Sequence, residues 1–271
     1  MNLVVNGRKA YAYTGGRAFD PALPCVVFIH GALNNHGEWT LLARWFAHHG
    51  HAVLAPDLPG HSRSEGPALT SVEALADWCL GLLDAAGAER AIWVGHSMGS
   101  LIALEAAARA PERATALALL AMSYPMVVTP ALLETSLKDP QAAIEIVRVL
   151  SLSSLAQKPS FPGPGTWLHG AKRAMMQRVL AAQEPELFHI DFKVCSDYAN
   201  GLNAAARVTC ATTLLLGKFD RMTPPRAARE LGAALRAQVV TLPYGHALMA
   251  EGPDPVLNAL RRALLPAGSP S

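Results

Sequence analysis

A serine within a Gly-x-Ser-x-Gly pentapeptide is the side chain of this sequence best suited to nucleophilic chemistry. Ser97 lies between Gly95 and Gly99, after an apolar run at 91–94 and before a helix-forming run at 100–110. This order predicts a strand, a tight turn and a helix, with Ser97 at the apex in a positive-φ conformation that is costly for a residue with a side chain. Its hydroxyl would stand above the strand end, close to the free N–H groups of the helix N-terminus. Ser97 is therefore predicted to attack a carbonyl carbon.

A serine nucleophile needs a base to take its proton and an acid to orient that base. Asp220 follows the apolar run 212–216, and His246 follows the apolar run 239–242. Because the carboxyl ends of parallel strands meet at one edge of a sheet, we expect both side chains close to Ser97. The sequence thus predicts a catalytic triad in which His246 is the general base and Asp220 orients its imidazole.

Alternating strands and helices are predicted to position these three side chains. The dipeptide Asn6-Gly7 between two strand-like runs predicts an antiparallel hairpin at the start of the chain. Short apolar runs then alternate with helical segments, which is typical of an α/β fold with a mostly parallel central sheet and helices on both faces. The predicted strands are 25–29, 52–55, 91–94, 117–121, 212–216 and 239–242, and the predicted core helices are 39–49, 71–86, 100–110, 224–236 and 255–264.

The alternation of strands and helices breaks between Ser123 and Arg207. Helical stretches there are separated by proline and glycine, which predicts a helical cap insertion at 123–207 in an α/β core made of residues 1–122 and 208–271. The stretch Pro159–Gly165 is predicted to form a mobile or irregular edge of this cap. The helices expected in the cap are 141–150, 172–183 and 191–206.

Composition and patterning limit the possible partners and cofactors. The chain has 271 residues, is 51% hydrophobic and carries a net charge of +2. It shows no basic cluster that would bind nucleic acid, no signal peptide and no apolar run that would span a bilayer, so a cytoplasmic protein is expected. The histidines at 48, 49 and 51 have no acidic or cysteine partner at ligand spacing, and there is no Walker-type phosphate loop. No metal and no cofactor are therefore expected.

Five segments together resemble the α/β-hydrolase-fold serine hydrolases over nearly the whole chain. Three of them carry the triad: the pentapeptide around Ser97, the Asp-Arg-Met-Thr-Pro-Pro run that starts at Asp220, and the Gly-His pair at His246. The other two are His30-Gly31-Ala32, which is similar to the family's oxyanion loop, and Asp57–Ser64, which is similar to its D-x-P-G-x-G-x-S loop. The five segments occur in the family's order.

The resemblance also implies how the oxyanion of the reaction would be bound. The backbone N–H of Met98, the residue after the nucleophile, would supply one donor. The N–H of Ala32 would supply the other, and the N–H of Leu33 is the alternative one residue further on. The second resembling loop departs from the family's pattern because Ser62 stands where a glycine is usual, and this difference is expected to alter only the loop conformation.

The implied activity is hydrolysis of a carboxylic ester, thioester or lactone through an acyl-enzyme. Aromatic and methionine residues of the cap favour a small to medium, moderately apolar small-molecule substrate. Phe161 is one of the aromatic residues of the cap that could line such a pocket. The residues singled out as candidates for substrate binding are Leu33, Tyr124, Met126, Trp167 and Phe188.

Other uses of the same fold stay open at this stage. The triad could serve carbon–carbon bond hydrolysis of a diketone-like substrate, with Arg148, Arg173 or Arg178 holding an acidic group, or it could serve perhydrolysis. A ligand-binding protein without turnover is a further alternative. The resemblance argues against the epoxide hydrolases and dehalogenases of this fold, which use an aspartate nucleophile, because the elbow carries Ser97.

Overall fold

A mostly parallel sheet forms the centre of the computed structural model, which describes residues 1–153, 167–184 and 186–265. Within these residues the strands are β1 (Asn2–Val5), β2 (Arg8–Tyr13), β3 (Cys25–Ile29), β4 (Ala52–Pro56), β5 (Ala91–His96), β6 (Ala114–Leu120), β7 (Ala211–Gly217) and β8 (Gln238–Leu242). Their order in the sheet is β1-β2-β4-β3-β5-β6-β7-β8. The β1–β2 and β2–β4 pairs are antiparallel and the other pairs are parallel. The predicted fold class is confirmed.

Local sequence explains the start of the sheet and the burial of its centre. Asn6 and Gly7 both adopt positive φ, 50° and 76°, as the two-residue turn between β1 and β2 requires. All five residues of β3 are buried, because helices cover both faces of a parallel sheet. Side chains alternate along the strand: Val27 packs in the cluster on one face and Phe28 in the cluster on the other.

Eleven α-helices surround the sheet in the described part of the chain. In the core, α2 and α3 cover one face of the sheet, while α1 and α11 cover the other. The helices are α1 (Thr40–His48), α2 (Val72–Ala85), α3 (Met98–Arg109), α4 (Pro130–Lys138), α5 (Pro140–Ser151), α6 (Trp167–Ala181), α7 (Leu187–Asp197), α8 (Gly201–Ala205), α9 (Arg229–Ala234), α10 (Leu248–Glu251) and α11 (Pro253–Leu264).

The segment 123–207 contributes α4 to α8, and we propose that it is a cap over the strand ends. Its own apolar cluster joins α5, α6 and the first half of α7, up to Phe192. From Val194 onward its side chains pack in the core cluster with α3. The proposed cap therefore divides near Phe192 into a part with its own apolar cluster and a part that packs on the core, and its predicted end at Arg207 stays a prediction. The stretch Pro159–Gly165, with Phe161, lies outside the described residues.

Two features of the cap differ from the helices expected there. Helix α4 was not expected, although Thr129 caps it by accepting the Leu132 N–H at 3.3 Å and a proline follows at the first helical position. The single helix expected over 191–206 is in fact α7 and α8. A Cβ at Gly201, the first residue of α8, would lie 2.4 Å from the ring of Tyr124, so this position has no room for a side chain.

Candidate active site

The turn between β5 and α3 holds Ser97 in the strained conformation that the sequence predicts. Its backbone lies at φ 53° and ψ −119°, a conformation that costs on the order of 1–3 kcal/mol for a residue with a side chain. A Cβ at Gly95 would lie 2.0 Å from the carbonyl oxygen of Gly99, and one at Gly99 would lie 2.2 Å from that of Ile29. Both glycines are therefore required for the strand to turn directly into the helix. The predicted elbow geometry is confirmed.

Loops after β7 and β8 bring Asp220 and His246 together at the same sheet edge. Nδ1 of His246 lies 2.9 Å from Oδ2 of Asp220. The other oxygen, Oδ1, accepts the N–H groups of Met222 and Thr223, each at 2.8 Å. Both side chains are buried, with Asp220 4% exposed and His246 3% exposed. Burial disfavours the charged carboxylate, but His246 and the donors of Thr223 outweigh it and lower the pKa of Asp220.

Three successive backbone N–H groups of the oxyanion loop have different environments. The Gly31 N–H donates to Oε2 of Glu38 at 2.9 Å, and the Leu33 N–H donates to Oδ2 of Asp191 at 2.8 Å. Between them, the Ala32 N–H has no hydrogen-bond partner among the described residues. Leu33 is thereby removed as an oxyanion donor, and Ala32 stays the candidate beside Met98, which begins α3 and has no acceptor within that helix.

A cavity of about 300 Å³ opens beside Ser97 and His246, both of which line it. Met126 and Phe188 contribute to its walls, as the sequence suggests, together with apolar side chains of α4, α5 and α7. Such a volume lies at the lower end of the range for small-molecule sites. The site therefore has space for a substrate of small to medium size.

Three of the suggested substrate-binding residues lie elsewhere, which corrects the prediction for them. Leu33 is fully buried in the apolar cluster of the cap. The hydroxyl of Tyr124 donates to the carbonyl oxygen of Ala199 at 2.6 Å, and its ring packs with the core. Trp167 is 81% exposed at the first position of α6. Aromatic character alone did not separate residues that line the cavity from residues on the surface or in the core.

The model of the alpha/beta hydrolase fold family matches residues 24–253. The chain belongs to this family. The crystal structure of the enol-lactonase from Burkholderia xenovorans has the same fold, with a TM-score of 0.82 and 21% identity over 97% of this chain and 99% of that one.

Relatives of this α/β hydrolase with closer sequences match over a shorter segment. Epoxide hydrolase A of Mycobacterium tuberculosis is 35% identical over 108 residues, which are 39% of this chain and 34% of the relative. The pimeloyl-[acyl-carrier protein] methyl ester esterase of Pectobacterium carotovorum is 38% identical over 99 residues, 36% of each chain. The matched segment thus spans about a third of the length of these relatives, whose named activities differ.

Cationic side chains at the cavity of this α/β hydrolase are not the arginines suggested by the sequence. Arg148 and Arg173 both pair with Glu145. Instead, Lys172 and Arg221 line the cavity. Nζ of Lys172 donates to Oδ1 of Asn34 at 3.2 Å, and burial lowers the pKa of this lysine against the opposing effect of Glu38.

Glu38 is a charged residue of the site that the sequence analysis missed. Besides the Gly31 N–H, it receives the side-chain amide of Asn34 at 3.2 Å, and its Oε1 lies 3.0 Å from Nδ1 of His96. Burial disfavours its charged form, but His96 and Lys172 outweigh it and lower the pKa of Glu38 to about 2. No local motif marks this residue, because its partners come from three separate parts of the chain.

The low pKa of Glu38 predicts acid sensitivity of the folded state. The pKa of Glu38 is about 2 in the folded protein and near its ordinary value of 4.5 in the unfolded chain. The ionised carboxylate therefore stabilises the fold above about pH 4.5, and this stabilisation is lost as the pH falls toward 2. Between about pH 5 and 3, wild type should lose about 1–3 kcal/mol more unfolding free energy than Glu38→Gln. Urea unfolding at a series of pH values measures the unfolding free energy of each protein. The exposed control Asp197→Asn should follow wild type, and equal acid sensitivity of all three proteins would contradict the assignment.

The described residues contain neither a cluster of potential metal ligands nor a membrane-spanning helix. Among residues 1–153, 167–184 and 186–265, no group of three or more histidine, cysteine, aspartate or glutamate side chains could hold a metal ion. In the same ranges no helix has both the length and the apolar character needed to cross a bilayer. The four cysteines are free thiols, three of them buried.

Proposed function

We propose that this α/β hydrolase cleaves a carboxylic ester, or the related bond of a thioester or lactone, in a small to medium and moderately apolar molecule. One observation carries the proposal: Ser97, on its strained turn, and His246, bonded through Nδ1 to the buried Asp220, line the same cavity. The reaction would proceed through an acyl-enzyme on Ser97. No cofactor is required for this chemistry, and the only partner it needs is the small-molecule substrate.

In the first half of the reaction, Nε2 of His246 takes the proton of the Ser97 hydroxyl as Oγ attacks the carbonyl carbon. Nε2 is the nitrogen available for this, because Nδ1–H donates to Asp220 at 2.9 Å. The ionised Asp220 stabilises the imidazolium that forms. The N–H groups of Met98 and Ala32 bind the oxyanion, a contribution of several kcal/mol in such enzymes. The imidazolium then returns its proton to the leaving alcohol.

In the second half, water replaces the alcohol. His246 removes a proton from the water, whose oxygen attacks the acyl carbon, and the collapsing intermediate takes the proton back on Oγ of Ser97. The products are a carboxylic acid and the regenerated hydroxyl, so atoms and charge balance over the cycle. In a lactone the alcohol stays attached to the acyl group and leaves with it.

The walls of the cavity support the choice of substrate class. They are mostly apolar, with Met126, Val147 and Phe188 among them, which favours acyl groups without fixed charge. The relative named as a methyl ester esterase agrees with this chemistry. The relative named as an epoxide hydrolase is a poorer guide, because an epoxide hydrolase of this fold is expected to use an aspartate nucleophile and this chain carries Ser97 at that position.

Two experiments test the proposal on the intact protein. A fluorophosphonate probe should label Ser97, located by peptide mass spectrometry, and p-nitrophenyl esters of graded acyl length should be hydrolysed. Labelling without hydrolysis of any ester or lactone would point to carbon–carbon bond cleavage or perhydrolysis. The absence of both labelling and turnover would overturn the proposal in favour of a ligand-binding protein.

Phe188 and Trp167 offer a matched pair for testing which cap residue selects the acyl group. Phe188 is fully buried at the cavity wall, whereas Trp167 is 81% exposed. We expect Phe188→Ala to shift the preferred acyl length by changing relative kcat/KM about 10- to 100-fold, since each methylene contact is worth about 1–3 kcal/mol. Trp167→Ala should keep the wild-type profile. A shifted profile for Trp167→Ala alone would place the acyl group elsewhere.

A further inference from the structure

A carboxylate from the cap binds the backbone of the oxyanion loop. Asp191, on α7, is 2% exposed and accepts the N–H of Leu33 at 2.8 Å, across 158 positions of sequence. Leu33 holds a positive φ of 49°, which is strained for a leucine, and its side chain is fully buried in the cap's own apolar cluster. The loop beside the nucleophile is thus fastened to the cap by both backbone and side chain.

The charge of Asp191 is balanced by a buried imidazolium. Nε2 of His61 lies 3.0 Å from Oδ2 of Asp191, and Nδ1 lies 3.1 Å from the carbonyl oxygen of Pro59. Both partners can only accept hydrogen bonds, so both ring nitrogens carry a proton and the ring is a cation. Burial opposes this charge, but Asp191 outweighs it and raises the pKa of His61.

The other titratable groups that face His61 fit this assignment. The His30 ring lies 4.9 Å from the His61 ring between centroids. It is neutral, because its Nε2 accepts the N–H of Leu58, and burial lowers the pKa of His30 to about 4. Asp57 is ionised and bonded to His36 at 2.7 Å. His61 and Asp191 therefore form one buried ion pair between the core and the cap.

Two carboxylates bracket the Ala32 N–H, one of the two proposed oxyanion donors. Glu38 accepts the N–H before Ala32 and Asp191 accepts the N–H after it, at 2.9 and 2.8 Å. Carboxylate acceptors form stronger hydrogen bonds than neutral ones. The two bonds therefore hold the His30–Gly31 and Ala32–Leu33 peptide planes, which flank the plane that carries the Ala32 N–H. Glu38 belongs to the core, whereas Asp191 belongs to the proposed cap. One of the two hydrogen bonds that flank the Ala32 N–H therefore forms only when the cap is packed in place.

We propose that Asp191 is a positioning residue of the oxyanion loop, which makes the cap part of the catalytic machinery and not only a cover for the substrate. Through Leu33 it sets the direction of the Ala32 N–H, and His61 holds the accepting carboxylate in place through Nε2 at 3.0 Å. This inference rests on the proposed hydrolase function for its kinetic consequence. Its structural part, the hold of Asp191 on Leu33, is independent of any turnover.

Asp191→Ala should lower kcat for a p-nitrophenyl ester about 10- to 100-fold and leave KM within about threefold, because a misplaced donor affects the transition state more than substrate binding. Asp191→Asn should lose less, since its amide oxygen still accepts the Leu33 N–H, and it serves as the second variant if the alanine protein folds poorly. The control is Glu105→Gln, a fully buried carboxylate bonded to Tyr198 at 2.7 Å instead of the oxyanion loop. A loss of kcat in Asp191→Ala no larger than in this control would overturn the proposal.

A second measurement decides the structural part without any substrate. Hydrogen exchange at the Leu33 amide should be faster in Asp191→Ala than in Glu105→Gln at matched stability. Nitrogen NMR should show both ring nitrogens of His61 protonated at neutral pH in wild type and a neutral ring in Asp191→Asn. If wild type hydrolyses no ester, the proposed function fails. The exchange rate of the Leu33 amide and the protonation of the His61 ring still test whether Asp191 positions the loop. Unchanged Leu33 exchange or a neutral His61 in wild type would overturn the inference.

Discussion

Ser97→Ala should lower ester turnover on the order of 10⁴-fold or more while the protein keeps its fold. The substitution removes only the hydroxyl group, so the fold should be kept. Because the members of a catalytic triad act as a unit, loss of the nucleophile removes the acyl-enzyme route altogether. The positive φ of 53° at this position is retained at similar cost by alanine, so the melting temperature should change little. Steady-state kinetics with a p-nitrophenyl ester and a thermal melt measure the two effects.

Ser100→Ala is the matched control for this substitution. Ser100 lies three residues further along α3, is fully buried, and donates its hydroxyl to the carbonyl oxygen of Ser97. Removing that hydroxyl should leave activity within about tenfold of wild type, because only one hydrogen bond of the turn is lost. If Ser97→Ala kept more than a tenth of wild-type activity, a different nucleophile would have to be sought.

Asp220→Asn should lower kcat by about 10⁴-fold, the second large effect. The carboxylate can only accept a hydrogen bond, from Nδ1–H of His246 at 2.9 Å, and this keeps Nε2 unprotonated and ready as a base. An amide can offer its own N–H to Nδ1, which selects the tautomer with its proton on Nε2 and no basic lone pair facing Ser97. The loss should fall on kcat, and KM should change little because Asp220 is buried behind the histidine.

Asp197→Asn, at an exposed position on α7, is the control for Asp220→Asn and should keep full activity. Fluorophosphonate labelling of Asp220→Asn should slow in parallel with its kcat, since both reactions need the activated hydroxyl. Normal kcat in Asp220→Asn would mean that another acid orients His246, and the predicted triad would be wrong in that member.

Local sequence patterns were sufficient to predict the elements that carry the candidate site. The Asn6-Gly7 turn, the buried β3 and the elbow at Ser97 each depend on a few adjacent residues, whose backbone preferences act over short range. Once the strands are parallel, the loops after β7 and β8 must emerge at the edge where Ser97 stands. That is why Asp220 and His246 could be predicted to meet although 26 positions separate them.

Only the tertiary structure decided which cap residues reach the site. Trp167 and Phe188 are both aromatic residues of the predicted cap, yet one is 81% exposed and the other is fully buried at the cavity. The difference depends on how each helix is rotated against its neighbours, and helix rotation is set by packing of the whole apolar cluster and not by composition.

The fold class, the elbow and the proximity of Asp220 to His246 follow from sequence alone, because each rests on local backbone preferences and on the geometry of parallel strands. The hydrogen bond from Leu33 to Asp191, the ion pair of Asp191 with His61 and the contact of Glu38 with His96 do not. Each joins residues from separate elements through a single side-chain atom, and a distance of about 3 Å is reached only when both elements are packed in place. Tertiary packing therefore decided which backbone N–H beside Ser97 stays free.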